Sequence, residues 1–197
     1  MSIFWDQRYR ESNFAYGKGP NSFFADTVAK YKPRKLLLPA EGEGRNAVYA
    51  AQLGWQVDAF DFSSVARDHA IGLAHEHGVS INYFLADFNF LALPEKSYHF
   101  IALIYTHMPS DIRQSVYRTL IKSLKPGGII LAELFSQKQL ELDSGGPKNT
   151  DYLVTPEIMA NDFAGLKISM NQDVDIELNE GPFHQGKAHV VRFLAKN

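Results

Sequence analysis

The segment Glu41-Gly42-Glu43-Gly44-Arg45-Asn46-Ala47 constrains this chain more than any other. It follows Lys35-Leu36-Leu37-Leu38-Pro39, a brief apolar run of the kind that forms a strand buried on both faces. It leads into Arg45 to Leu53, where Ala47, Ala50 and Ala51 recur at helical spacing and Gly54 supplies a stop. Glycines between a strand and a helix let the backbone turn tightly and let a ligand approach closer than a Cβ allows. The helix that follows presents unpaired N–H groups to whatever sits there. Trp55 to Phe60 reads as the next strand and ends at Asp61, 19 residues after Gly42. That is close to the ~20 expected of a carboxylate that hydrogen-bonds ribose hydroxyls. Strand, glycine loop, helix, strand and spaced acid together predict a site for an adenosine-type ligand.

The remainder extends the same alternation. Ser22 to Tyr31 reads as a short helix that Lys32-Pro33 ends, because the residue before proline is steered out of the α region. Ser63 is the expected N-cap of a helix to about His77, with Gly78 beyond it. Ile81 to Ala86 is a third strand, followed by Asp87, and Tyr98 to Tyr105 a fourth. Ser110 starts a helix to Leu124, and Lys125-Pro126-Gly127-Gly128 turns the chain into a fifth strand, Ile129 to Phe135. Residues 136–154 read as a long polar loop, and Pro156 to Phe163 as a short helix. Two strand-like runs close the chain, Lys167 to Leu178 and Lys187 to Ala195. The link between them is too short for a parallel crossover and predicts an antiparallel hairpin. The expected fold is an α/β sandwich, five parallel strands plus one reversed. Residues 1–34 are aromatic and turn-rich before their helix, and 1–197 is expected to be one domain.

Composition removes several classes of function. With no Cys there is no thiolate metal site, disulfide or cysteine nucleophile. A formal charge of −2 argues against a large nucleic-acid footprint. No apolar run approaches the ~20 residues that cross a bilayer, and the first residues lack a signal-peptide core. A cytoplasmic protein without membrane partners is expected. His75 and His77 are two apart on a helix, face different ways and make no metal pair.

Two ligand classes compete for the loop. Read literally, G-x-G-x-x-A fits the fingerprint of an NAD(P)-binding oxidoreductase. Glu41 and Glu43, however, put two carboxylates where a diphosphate would rest. Like charges ~4 Å apart at an effective dielectric near 20 repel by about 4 kcal/mol, an upper figure for a wet loop. Arg45 offsets part of that. A ligand carrying an ammonium and a sulfonium has the opposite preference, and S-adenosylmethionine (SAM) is one.

The chain resembles the class I SAM-dependent methyltransferases, within them the small tellurite-resistance (TehB-like) and thiopurine-methyltransferase-like group. The resemblance is carried by Trp5-Asp6 with Arg8-Tyr9, Tyr16-Gly17, Pro20-Asn21, the glycine loop, and Asp61-Phe62-Ser63. It continues through Ala86-Asp87, His107-Met108-Pro109, Leu124-Lys125-Pro126-Gly127-Gly128 and His184-Gln185-Gly186. It implies a Rossmann-like methyltransferase sandwich, a mostly parallel sheet with a C-terminal antiparallel hairpin. It also implies SAM as cofactor, with Ala40, Glu41, Gly42 and Gly44 under its methionine part and Asp61 on the ribose. Phe62 would lie beside the adenine, Asp87 would accept from its amino group with Phe88 adjacent, and Tyr105 to His107 would line the methyl-transfer pocket. Residues 1–34 would form a flap over cofactor and substrate. Two positions depart from the family pattern: Leu38 stands where an acid is usual, and Ala40 where the first loop glycine is usual.

Methyl transfer from a sulfonium needs chiefly that donor and acceptor be held in line, worth ~7–11 kcal/mol. The expected acceptor is a small molecule, with a sulfur or chalcogen nucleophile preferred on family grounds. A hydroxyl or amine would need a base, for which His107 is the candidate. Tyr16, with Trp5 and Tyr9, is placed to face a sulfonium, worth roughly 0.5–2 kcal/mol each. Ordinary packing is the competing role for all four. Arg113 and Arg118 are expected in solvent, with Arg113 within reach of an anionic substrate, and His184 in the final hairpin turn. A degenerate SAM-binding module without turnover, suggested by Leu38 and Ala40, is a further alternative.

Overall fold

The structure is a computed structural model that describes residues 2–12 and 14–197. Its sheet has seven strands: β1 (Lys35–Pro39), β2 (Gln56–Asp61), β3 (Asn82–Leu85), β4 (Tyr98–Ile104), β5 (Leu124–Phe135), β6 (Lys167–Asn179) and β7 (Gln185–Lys196). Their order is β3-β2-β1-β4-β5-β7-β6. The first five run parallel, β7 runs against both β5 and β6, and so β6 points the same way as β1 to β5. The expected strand count falls one short. The hairpin contributes two strands, and its second inserts between β5 and β6, leaving six strands in one direction and β7 alone reversed.

Among the described residues six α-helices accompany the sheet: α1 (Ser2–Glu11), α2 (Ser22–Val28), α3 (Arg45–Gln52), α4 (Ser64–Glu76), α5 (Ser110–Ser123) and α6 (Pro156–Asp162). The apolar run in β1 works as a strand buried on both sides should. Leu37 joins the core that α5 and α6 cover with Tyr117 and Phe163, while Leu36 and Leu38 join the opposite core with Phe24 and Ala47. Each such leucine contributes about 1.5–3 kcal/mol of burial. Small Ala47 and Ala50 let α3 lie flat on the sheet, and Ser63 caps α4 by accepting from the Ala66 N–H.

Three boundaries differ from expectation. Leu124 to Gly128 belongs to β5 rather than to a turn, because Leu124 already pairs with Tyr98 across a bulge. The turn-rich N-terminus contains a helix, α1, whose Tyr9 packs with Ala66 of α4. Residues 136–154 include two short 3-10 turns, Gln137–Glu141 and Thr150–Tyr152. Among the described residues no helix is long and apolar enough to cross a membrane.

Candidate functional site

The carboxyl ends of β1, β2, β4 and β5 open into a cavity of about 760 Å³. A parallel sheet whose strand order reverses between β1 and β4 leaves a crevice there. The N-terminal segment, the 140s loop and the β6–β7 turn wall it in, contributing Trp5, Tyr16, Gly146 and Phe183.

The glycine loop is a chain of left-handed residues: Ala40 at φ 48°, Gly42 at 64° and Gly44 at 86°. The two glycines are required by contact as well as by φ. A Cβ on Gly44 would lie 2.5 Å from that of Ala70, and one on Gly42 would lie 2.9 Å from the Tyr9 hydroxyl. Ala40 holds the same hand with a side chain, at a cost of about 1–2 kcal/mol. Leu38, where the family's acid is usual, is instead part of the sealed core.

Glu41 is the decisive side chain. Gly44, at the N-cap of α3, has no side chain to cap with. Glu41 does it instead, accepting from the N–H groups of Asn46 (2.8 Å) and Ala47 (2.7 Å) and from the Asn46 amide. Burial pushes its carboxyl up to about 7, against those hydrogen bonds. Glu43 turns the other way and accepts from Phe14 N, Ala15 N and His69, binding the N-terminal segment to the loop.

Asp61 ends β2 as expected, beneath the loop. It accepts from Gly42 N (3.2 Å) through one oxygen and from Ser63 N (2.9 Å) through the other, and it lines the cavity. Burial lifts its carboxyl to about 6. Loop carbonyls are held from behind, Gly42 O by the Tyr83 hydroxyl and Pro39 O by Thr106. Glu41, Glu43, Asp61 and Asp87 all border this end of the cavity, and Arg45 is drawn off into an ion pair with Glu180 at 2.8 Å. The end is negative. Phe62, Asp87 and Phe88 lie alongside, with one Asp87 oxygen capping the 3-10 turn at Asn89 and Phe88 edge-on to Phe60.

At the other end Tyr105, Tyr16 and His184 cluster, with ring centroids 4.4 Å apart for Tyr16–His184 and 4.7 Å for Tyr105–His184. Tyr105 is left-handed, φ 50°, which is costly for an aromatic residue. Its N–H donates to Glu133 O and its hydroxyl to the Glu133 carboxylate. His107 lines the cavity, but both of its ring nitrogens are engaged. Nδ1 faces the Tyr152 carbonyl at 2.9 Å and so carries the proton, while Nε2 accepts from Phe135 N at 3.3 Å. Burial lowers its pKa to about 4. Arg113 departs from expectation: it is buried and paired with Asp162 at 2.6 Å, whereas Arg118 is exposed.

Sequence reasoning missed what lies under this end. Glu133, fully buried on β5, accepts from Asn21, Tyr105 and Arg192, and Asn21 also donates to Glu180. Glu180 in turn meets Arg45 and His184. This network ties the N-terminal segment, loop, sheet and final hairpin together. Its only sequence signal is glycine in tight places. Gly17 and Gly181 press backbone to backbone, and a Cβ on Gly181 would lie 2.4 Å from Gly17 N.

Residues 39–128 match the family described as a methyltransferase domain. A search of curated proteins finds no match to this sequence. Among solved structures, one from work on the conversion of a disulfide bond into a thioacetal group during echinomycin biosynthesis is 18% identical, with TM-score 0.79, covering 100% of this chain and 92% of that one. TehB from Haemophilus influenzae is 16% identical, with TM-score 0.75, covering 100% of this chain and 66% of that one. A SAM-dependent methyltransferase from Methanosarcina mazei is 15% identical, with TM-score 0.68, covering 91% and 98%.

Proposed function

We propose that this chain, which carries a methyltransferase domain in the class I methyltransferase fold, uses SAM to methylate a small molecule through a sulfur or other soft nucleophile. One observation carries the choice of cofactor. The helix N-terminus that would receive a diphosphate is already filled by the Glu41 carboxylate, and three further carboxylates border the same end of the cavity. That disfavours NAD(P) and suits a ligand with an ammonium and a sulfonium. The residues fit such a group: a glycine loop bordering the cavity, a buried Asp61 for a sugar hydroxyl, and Phe62, Asp87 and Phe88 for a purine.

When bound, SAM supplies an electrophilic methyl group. The chain's own residues hold and exclude. Ala40 to Gly44 and Asp61 fix one end, and at the other the aromatic side chains of the N-terminal segment and hairpin keep water out, with Tyr16 and Tyr105 lining that end. His107, with its proton on a carbonyl and its lone pair on an N–H, is a positioning residue under Phe135 rather than a base. An acceptor here must therefore arrive nucleophilic, as a thiolate or selenide does near neutral pH. The disulfide-to-thioacetal chemistry named for one structural neighbour supports that preference.

Isothermal titration tests the assignment. S-adenosylhomocysteine should bind with a micromolar Kd, about −8 kcal/mol, and NADP should not. With labelled SAM, thiols should accept methyl groups where alcohols and amines do not. Binding of NADP without S-adenosylhomocysteine would remove the proposal.

A further inference from the structure

One lysine or arginine in the wall of the large cavity is left without a carboxylate. Arg45 is paired with Glu180 at 2.8 Å and Lys148 with Asp143 at 2.8 Å, whereas Arg8 is in no ion pair among the described residues. Its acidic neighbours on α1 are engaged elsewhere: the Asp6 carboxylate accepts from Ser63 Oγ, and that of Glu11 from the Gln7 amide. The same Asp6 contact, with Tyr9 packed on Ala66, fixes α1 against α4 and so fixes the place of Arg8.

Aromatic rings hold the guanidinium. Its carbon lies 4.2 Å from the ring centroid of Phe183, 5.0 Å from that of Phe4 and 6.0 Å from that of Trp5. Ring faces attract the charge but offer its N–H groups no acceptor atom. One N–H reaches the Tyr16 hydroxyl at 3.3 Å, and among the described residues the others have no partner. The hydroxyl thereby spends a lone pair on Arg8 and keeps its own proton, for which no described residue is the acceptor. Burial raises the Tyr16 pKa, so that proton stays in place. Burial and the nearby Arg45 and Arg8 charges, against Glu180, hold the His184 imidazole below its ordinary pKa, so this ring adds no charge. The cavity therefore has carboxylates at its glycine-loop end and, at the other, an unpaired guanidinium beside an unclaimed O–H.

We infer that Arg8 and the Tyr16 hydroxyl select the acceptor: the molecule methylated carries a carboxylate in addition to its soft nucleophile, and these two side chains bind it. A guanidinium forks onto a carboxylate with paired N–H groups, and the phenol O–H adds another donor. A single unpaired cation matches a monoanion. The carboxylate takes no part in bond making and only holds the molecule in line. This rests on the methyl transfer proposed above and names the second group of its acceptor.

Binding is read with S-methylated products, (methylthio)acetate, 3-(methylthio)propanoate and 4-(methylthio)butanoate, each against its amide, with and without S-adenosylhomocysteine. The indole N–H resonance of Trp5, assigned by its loss in W5F, reports on the site beside Arg8. One or more of the acids should bind at least about tenfold more tightly than its amide. R8Q should bring that ratio to about one, while R8K, which keeps the charge, should keep most of it. Y16F should weaken the acid at least about threefold and spare the amide. With labelled SAM, R8Q should raise KM for the matching mercapto acid at least about tenfold, with kcat within about twofold and the mercapto amide unaffected. Equal binding of every acid and its amide by the parent protein overturns the inference, as does a preference that survives R8Q. Loss of acid and amide alike in R8Q, unrelieved in R8K, also overturns it, because Arg8 would then be only a strut for α1. Acid binding unchanged in Y16F removes Tyr16 from the site. A preference that depends on Arg8 without methyl transfer to any of these thiols removes the function proposed above and keeps the carboxylate site.

Discussion

Replacing Asp61 by asparagine should change the pH dependence of stability in a direction opposite to its effect on ligand binding. The native carboxyl titrates at about 6, against 3.8 for an unperturbed aspartate, because burial disfavours its charge. A raised native pKa means that the folded state holds this proton more tightly than the unfolded chain does. The associated stability is complete below pH 3.8 and is lost as pH rises through about 6. Two pKa units correspond to about 3 kcal/mol. D61N has no proton to bind there and loses this pH dependence. The amide also turns an NH2 toward one of the two donors, Gly42 N or Ser63 N, a pH-independent loss of about 1 kcal/mol. Urea unfolding of both ligand-free proteins at intervals from about pH 4 to about pH 7.5 reads the difference, in which titrations common to both cancel. D61N should be the less stable at the acid end and gain about 3 kcal/mol relative to the parent by neutral pH. S-adenosylhomocysteine should meanwhile bind D61N more weakly by about 1–3 kcal/mol. A stability difference that stays flat across the range, or grows in the parent's favour, refutes the buried, strained carboxylate.

Three further substitutions probe the scaffold. G181A puts a Cβ against Gly17 N at φ 69°, so it should cost about 1–3 kcal/mol and expose residues 14–20 to limited proteolysis; an unchanged Tm and cleavage pattern would contradict the contact. E180Q leaves the Arg45 guanidinium buried without its carboxylate and should cost about 3–5 kcal/mol in urea unfolding, with the loss persisting at high salt because the pair is screened from solvent. A40G relieves a left-handed alanine at some cost in chain entropy, so stability should hold or rise by up to about 1 kcal/mol, while a marked loss would mean the Ala40 methyl is needed for packing.

The layout of the strands and the glycine-loop end of the cavity were legible because each depends on local pattern. Leu36 to Leu38 announce a doubly buried strand, Gly42 and Gly44 a turn too tight for side chains, and Asp61 a strand end at a fixed distance. The hairpin's insertion of β7 between β5 and β6 was not legible, since turn length fixes that two strands pair but not which one meets the sheet. His107 shows the same limit. Its place after β4 follows from the sequence, but its protonation follows from Tyr152 and Phe135, 45 and 28 residues away.

By itself, then, the sequence determined the alternation of strands and helices, the glycine turn and the carboxylate beside it, because periodicity, backbone freedom and charge act over a few residues. Tertiary structure alone decided that Glu41 would cap α3, that Arg45 would be claimed by Glu180, and that Glu133 would sit sealed beneath Tyr105. A buried charge must find partners wherever the fold brings them, and the partners of Arg45 and Glu133 lie up to 135 residues apart in the chain.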